Sequence, residues 1–236
     1  MLAIAVLAVL LAACEDNGAP ASDPTATSLS EDHHDAENFN EIVQTGASRS
    51  ATAGFAGTYT LRVNFEGSRL DGTVRWYRKG TQARADFAGT VDGQTVNMNV
   101  ITGPNYPADD LLYVCTPDAQ TCTEAVQAVN GDYATDLLPA VIPLRLLDVS
   151  ILATGLNFYD EAARTIVGEP ALCFVGRSES DPPGPVDHAE ICLTDAGLPL
   201  LITAAGTSRT MSLTAMETPG GVSDRDFELP YAVGAR

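Results

Sequence analysis

The chain has 236 residues, of which 19% are charged, and its formal net charge is -18 because 31 acidic residues outnumber 13 lysines and arginines. Nucleic-acid phosphates attract basic surfaces, so this balance argues against a nucleic-acid-binding protein. It also argues against a domain that lies flat on anionic lipid headgroups.

The chain begins with an apolar run from Leu2 to Leu11, which leads into Ala12, Ala13 and Cys14. The run is too short for a transmembrane helix, which needs about 20 residues. Two small residues before a cysteine are typical of a lipobox, although the basic residues of a usual signal peptide are missing. We therefore expect a signal peptide over residues 1–13. Acylation of Cys14 with palmitate-type chains would hold the protein on the extracytoplasmic side of a cell membrane.

Residues 14–35 form an acidic tether rich in Ala, Ser, Thr and Pro, which is too polar to fold alone. The side chains of residues 31–35 are compatible with metal binding, but we interpret them as solvated and expect no metal site. Residues 36–236 then form a single domain. At its start, Asp35 to Gly46 predicts a short amphipathic helix with Phe39, Ile42 and Val43 on one face, ended by Gly46.

From Gly57 onward the apolar residues recur at every second position, which predicts an antiparallel meander with one apolar face. Turns are expected at Gly67-Ser68, at Asp71-Gly72 and at Asp92-Gly93. Trp76 lies on the apolar side and is interpreted as core. The basic residues are interpreted as solvent-facing, with a patch for an acidic partner as the alternative. They are Arg62, Arg69, Arg75, Arg78, Lys79 and Arg84.

The chain contains five cysteines, and acylation of Cys14 would leave four, which allow three pairings. Sequence spacing favours two local disulfides, Cys115–Cys122 and Cys173–Cys192, because each pair brackets a turn. A four-thiolate metal site is disfavoured because no CxxC motif is present and the expected compartment is oxidising.

The most apolar stretch after the signal spans residues 136–153. Pro143 is suited to the first turn of a helix that runs to Ala153. Its apolar residues occupy most faces, so the helix must be covered on several sides. This helix would fill the concave side of a curved sheet or line a cavity. Further strands are expected at 164–175, 190–194, 198–204 and 209–217, and Phe227 and Leu229 would close the domain.

The sequence contains no GxSxG, HExxH, phosphate-loop or GxGxxG motif. The folded part holds a single histidine, His188, in a proline-rich stretch that predicts an exposed loop. No nucleophile or general base can be named, so we expect neither an enzyme nor a cofactor.

The order of these elements resembles the LolA/LolB-like lipoprotein-carrier superfamily and is similar to actinobacterial glycolipid-carrier lipoproteins. The matching segments are 60–65, 72–79, 193–200 and 226–230. The resemblance implies a mainly β fold with a few helices. Its sheet would be strongly curved, antiparallel and unclosed, a half-barrel whose concave face is covered by helices and holds acyl chains.

The first hypothesis is a monomeric, membrane-anchored lipoprotein that binds or carries a lipid or another apolar ligand on the concave face. The alternative is a non-catalytic envelope interaction or sensor module with the same fold and a filled core. The expected ligand-binding residues are apolar residues of the sheet and of the mid-chain helix. They are Val63, Phe65, Trp76, Phe87, Met98, Leu144, Leu147, Ile151 and Leu152.

Overall fold

The computed structural model describes residues 32–65, 67–103, 111–126, 156–178, 186–207 and 209–234. The described chain is mostly β-strand and contains one α-helix, α1 (Asp32–Thr52). The strands are β1 (Phe55–Phe65), β2 (Ser68–Lys79), β3 (Gln82–Val91), β4 (Gln94–Thr102), β5 (Leu111–Thr116), β6 (Thr121–Val126), β7 (Asn157–Ile166), β8 (Glu169–Arg177), β9 (His188–Leu193), β10 (Pro199–Gly206) and β11 (Arg209–Ala215).

All eleven strands form one sheet in the order β6-β5-β4-β3-β2-β1-β11-β10-β9-β8-β7. Every neighbouring pair is antiparallel, and β6 and β7 are the outermost strands. The first and last strands meet at the centre, where Tyr59 lies opposite Ala215 and Phe65 opposite Arg209. The predicted fold class, an open antiparallel sheet with helical cover, is confirmed.

One face of the sheet, here called the inner face, carries most of the core. Directly opposed residues of paired strands project to the same side. Tyr59, Val74 and Phe87 lie opposite one another across β1, β2 and β3, and all three are at most 1% exposed. Helix α1 packs on this face through Phe39, whose ring centroid lies 5.1 Å from that of Phe174.

Helix α1 is longer than the sequence predicts. Phe39 and Ile42 are buried as expected, but the helix does not stop at Gly46. It continues to Thr52 and ends before Gly54, which adopts a φ of 68°. Gly46 instead lies against Gly197, in the turn between β9 and β10. Because Gly46 has no side chain, the helix backbone can approach the backbone of this turn closely.

One turn prediction and one strand prediction are also wrong. Asp71-Gly72 does not end a strand but lies inside β2, where Gly72 faces Gly89 of β3. The predicted strand 164–175 is instead the hairpin β7–β8, whose turn is Val167-Gly168. Val167 adopts a φ of 46°, which is rare for a β-branched residue, and no glycine or asparagine precedes Gly168 to signal this turn.

After β11 the chain crosses the outer face as a C-terminal strap, residues 216–234. Gly220 and Ala56 exchange two backbone hydrogen bonds, of 2.7 and 2.8 Å. Phe227 packs on Ala56 and Tyr77, as the predicted closing role of Phe227 requires. At its far end the strap runs parallel to edge strand β6 at Val233, where the Cys122 carbonyl accepts a 2.9 Å bond from the Gly234 N–H.

Two of the basic residues of the meander, Lys79 and Arg84, contact the strap. The Lys79 ammonium lies 2.6 Å from the carboxylate of Asp224. Arg84, whose side chain is only 16% exposed, pairs with Asp86 and donates a 3.0 Å bond to the Asp226 carbonyl. The solvent-facing interpretation of Arg84 is therefore wrong, because this side chain lies between the sheet and the strap.

The strap is expected to loosen in acid. Hydrogen bonds from the backbone N–H and side chain of Ser223 hold the pKa of Asp226 below its ordinary value of 3.8. Because the pKa of Asp226 is lower in the folded state than in the unfolded state, its ionised carboxylate stabilises the fold above pH 3.8. This contribution to the free energy of unfolding is lost as the pH falls through the folded-state pKa. Because Asp226 is largely solvated, we expect a modest effect, with strap opening increased about two- to fivefold.

Hydrogen-exchange protection of Ala56 and Gly220 between pH 6 and pH 3 measures this opening. Asp226→Asn should lower protection at neutral pH and remove the pH dependence, whereas Asp224→Asn should keep that dependence. An unchanged acid response in Asp226→Asn would assign the transition to another carboxylate.

Candidate functional site

The buried inner face continues into a group of half-buried apolar side chains at one end of the sheet. This group, the apolar rim, consists of Phe65, Val91, Val96, Met98 and Met211. They are positioned by the hairpin ends β1–β2, β3–β4 and β10–β11, which all lie at the same end.

The strand register places the whole rim on the inner face. Met211 lies opposite Val63, which in turn lies opposite Leu70, and Leu70 lies opposite Val91. Met98 lies opposite the buried Phe87. The rim is therefore the accessible margin of the same apolar surface that forms the core.

One cation adjoins the rim. The guanidinium carbon of Arg209 lies 4.7 Å from the centroid of the Phe65 ring, in a cation–π arrangement. Arg209 is also the register partner of Phe65 at the start of β11. The arrangement holds the Phe65 ring at the hairpin end of the inner face.

The predicted ligand-binding residues of the sheet share this face but differ in accessibility. Trp76 and Phe87 are each 1% exposed, and Val63 is 9% exposed, so these three are packed. Phe65 and Met98 are half-buried and belong to the apolar rim. Cys14, Leu144, Leu147, Ile151 and Leu152 lie outside the described residues.

Sequence reasoning missed Met211, Val91 and Val96 as candidate site residues. The alternation along residues 209–217 places Met211 inward, but nothing local to that segment identifies β1 as its neighbour. The pairing of β1 with β11 brings Met211 beside Val63. Pairing of the first and last strands of a sheet carries no signal in a single sequence.

The other end of the inner face is closed by aromatic packing beneath helix α1. Phe55 and Trp76 stack edge to face, with ring centroids 4.5 Å apart. The hydroxyl of Tyr59 donates a 3.1 Å hydrogen bond to the Pro199 carbonyl, and burial raises the pKa of Tyr59. This phenol therefore remains protonated and acts as a structural donor.

The two disulfides join Cys115 to Cys122 and Cys173 to Cys192, the pairs that sequence spacing predicts. Both link directly opposed residues of neighbouring strands. Among the described residues, one group with metal-compatible atoms occurs, Cys173, Glu190 and Cys192, within 4.8 Å of one another. Its sulfurs are oxidised and Glu190 pairs with Arg164 at 2.6 Å, so these groups are already engaged.

His188 does not lie in an exposed loop, as its proline-rich surroundings predict. It is half-buried at the start of β9, where it pairs with Ala205 and Arg177. Its backbone is therefore part of the sheet.

No helix in the described part of the chain combines the length and the apolar character needed to cross a bilayer. No protein-family model matches the chain, and no curated protein matches it.

Solved structures with a similar arrangement include the complex of MucA and MucB from Pseudomonas aeruginosa, at 15% identity and a TM-score of 0.47. That match covers 81% of this chain but 61% of the other, so this chain spans less than two thirds of that protein. LprF from Mycobacterium bovis matches at 11% identity and a TM-score of 0.45, covering 83% of this chain and 98% of the other. LppX from Mycobacterium tuberculosis matches at 15% identity and a TM-score of 0.44, covering 76% and 93%.

Proposed function

We propose that this protein is a membrane-anchored envelope lipoprotein that binds or carries a lipid or another apolar ligand on the inner face of its sheet. The observation that carries the proposal is the continuity between the buried core and the apolar rim. Half-buried apolar residues extend the core to the hairpin end of the sheet, where they are available to contact an apolar ligand.

Binding on this face would be driven by burial of alkyl chains, which contributes about 0.8 kcal/mol per CH₂ group. Phe65 and Met98 make first contact, and Val63, Phe87 and Trp76 lie further along the same face. Methionines suit this role because their flexible thioether chains adapt to different alkyl shapes. The proposal extends to Leu144, Leu147, Ile151 and Leu152 as further lining residues and to Cys14 as the anchor.

The second candidate is an interaction or sensor module without a ligand. It is favoured by the dense packing beneath helix α1, where Tyr59, Trp76, Phe87 and Phe174 are at most 1% exposed. Native mass spectrometry of the protein purified from membranes separates the two candidates. A carrier should retain lipid adducts, and consistent absence of adducts, with an unchanged melting temperature on adding lipid, would favour the second candidate.

Two methionines provide a matched test of the rim. Met211 is half-buried in the rim, whereas Met216, the first residue after the same strand, is 54% exposed. Met211→Gln keeps the size of the side chain but introduces an amide whose burial is costly. We expect the affinity for lipid to fall about tenfold in Met211→Gln and by less than about twofold in Met216→Gln.

Lipid titration monitored by native mass spectrometry measures both affinities. Equal affinities in the two variants would place the ligand away from the rim.

A further inference from the structure

Two buried side-chain polar atoms in the described part of the chain have no hydrogen-bond partner, and one of them lies on the inner face. It is the indole Nε1 of Trp76; the other is Asp187 Oδ1. Trp76 is 1% exposed, so its N–H is shielded from solvent. A buried donor without an acceptor costs about as much as a lost hydrogen bond, and such groups are rare in folded proteins.

Other buried polar side chains of the sheet are satisfied. The Tyr59 hydroxyl, equally buried and two register positions away, donates to the Pro199 carbonyl. On the outer face, the Asn99 side-chain amide donates to Asp86 at 2.6 Å. Apart from Asp187 Oδ1, the Trp76 N–H is therefore the exception among the described residues.

The residues directly opposite Trp76 offer no side-chain acceptor. They are Gly57 on β1 and Ala85 on β3, neither of which has a polar side chain. The backbone groups of these strands are directed along the ladders, since β2 pairs continuously with β1 and β3. An acceptor placed above the inner face would therefore satisfy this donor.

We propose that the indole N–H of Trp76 donates a hydrogen bond to the acyl carbonyl of the bound ligand. This inference rests on the proposed function and narrows its ligand to one chemical class, an acyl chain that carries a carbonyl, rather than a pure hydrocarbon. The carbonyl would lie at the helix-covered end of the inner face, where the packed aromatic side chains must move apart to admit it, and the alkyl chain would extend toward the apolar rim.

The dimensions suit such a ligand. Trp76 and Leu70 lie on the same face of β2, six residues apart, and Leu70 neighbours the rim residue Val91. Six strand residues span about 20 Å, comparable with an extended long-chain acyl group. Sites for small ligands likewise combine an apolar lining with a few polar groups.

The test compares methyl palmitate with octadecane, two neutral molecules of similar length of which only the ester carries a hydrogen-bond acceptor. The ratio of the ester affinity to the alkane affinity should be about five- to tenfold higher in wild type than in Trp76→Phe, because phenylalanine retains an aromatic ring and lacks the donor. The same ester-to-alkane ratio in both proteins, or an equal loss for both molecules, would overturn the inference.

A second measurement needs no variant. The chain has a single tryptophan, so the wild-type protein labelled with ¹⁵N shows a single indole N–H signal by NMR. The ester should move its proton resonance downfield, as hydrogen bonding does, and octadecane, which has no acceptor, should not. A signal that responds equally to both molecules contradicts the proposed contact, whereas failure of both molecules to bind either protein contradicts the proposed function itself.

Discussion

Replacing Gly197 with alanine is expected to lower the free energy of unfolding by about 3 kcal/mol. Two effects act together. Gly197 adopts a φ of +72°, which disfavours any L-residue with a side chain. A Cβ atom there would also lie 2.5 Å from Cα of Gly46 and from the Ile42 carbonyl oxygen. Both are backbone atoms of helix α1, which cannot move aside without lifting the helix from the sheet.

Two control variants separate these effects in urea unfolding. Gly93→Ala occurs at a φ of +81° with no atom within 4 Å, so it reports the conformational cost alone, about 1–2 kcal/mol. Gly46→Ala reports the contact alone. In an uncrowded helix this change stabilises by about 1 kcal/mol, but here the new Cβ would lie 2.5 Å from the Gly197 carbonyl oxygen, so we expect destabilisation.

A stabilising Gly46→Ala, or a Gly197→Ala that costs no more than Gly93→Ala, would show that helix α1 does not sit against this turn. Whether Gly46→Ala raises or lowers the free energy of unfolding is therefore more decisive than the size of the Gly197→Ala effect.

Removing the Cys173–Cys192 disulfide, by changing both residues to alanine, is expected to cost about 3 kcal/mol. The two cysteines are 19 residues apart in sequence, and the cross-link restricts the unfolded chain over that whole loop. The Cys115–Cys122 disulfide closes a separation of only 7 residues, so its removal should cost about 2 kcal/mol. Both disulfides are fully buried, so the two pairs of variants differ mainly in the length of the loop that each disulfide closes.

The readout is urea unfolding of the two double-alanine variants beside wild type, together with hydrogen exchange. Loss of Cys115–Cys122 should selectively increase exchange in the strap, because Cys122 is the residue that bonds to Gly234. A larger stability loss for Cys115–Cys122, with unchanged exchange in the strap, would contradict this account.

The sequence predicts the local features of this fold well where a short-range pattern determines them. The alternation of Val63, Trp76 and Phe87 with polar residues correctly assigns their common face, because a strand repeats every two residues. The two disulfides follow from spacing for a similar reason, since each closes a local hairpin.

The features that the sequence does not predict depend on contacts between residues that are distant along the chain. Gly46 is interpreted as a helix end because glycine is common there, but its actual neighbour is Gly197. The apolar rim is only partly foreseen, because Met211 joins Phe65 and Met98 through the β1–β11 pairing. The unsatisfied Trp76 N–H is likewise a property of the assembled core, since any buried tryptophan normally finds an acceptor.

The central pairing of β1 with β11 also determines how the chain assembles. Strands β1 to β6 form one continuous meander and β7 to β11 another, and within each meander every strand pairs with its sequence neighbour. Among the described strands one ladder joins them, and its register partners Thr60 and Thr214 are 154 positions apart. Contacts so distant form slowly, because loop closure must precede them. We therefore expect each meander to form as a separate folding unit and their joining along this seam to limit the folding rate.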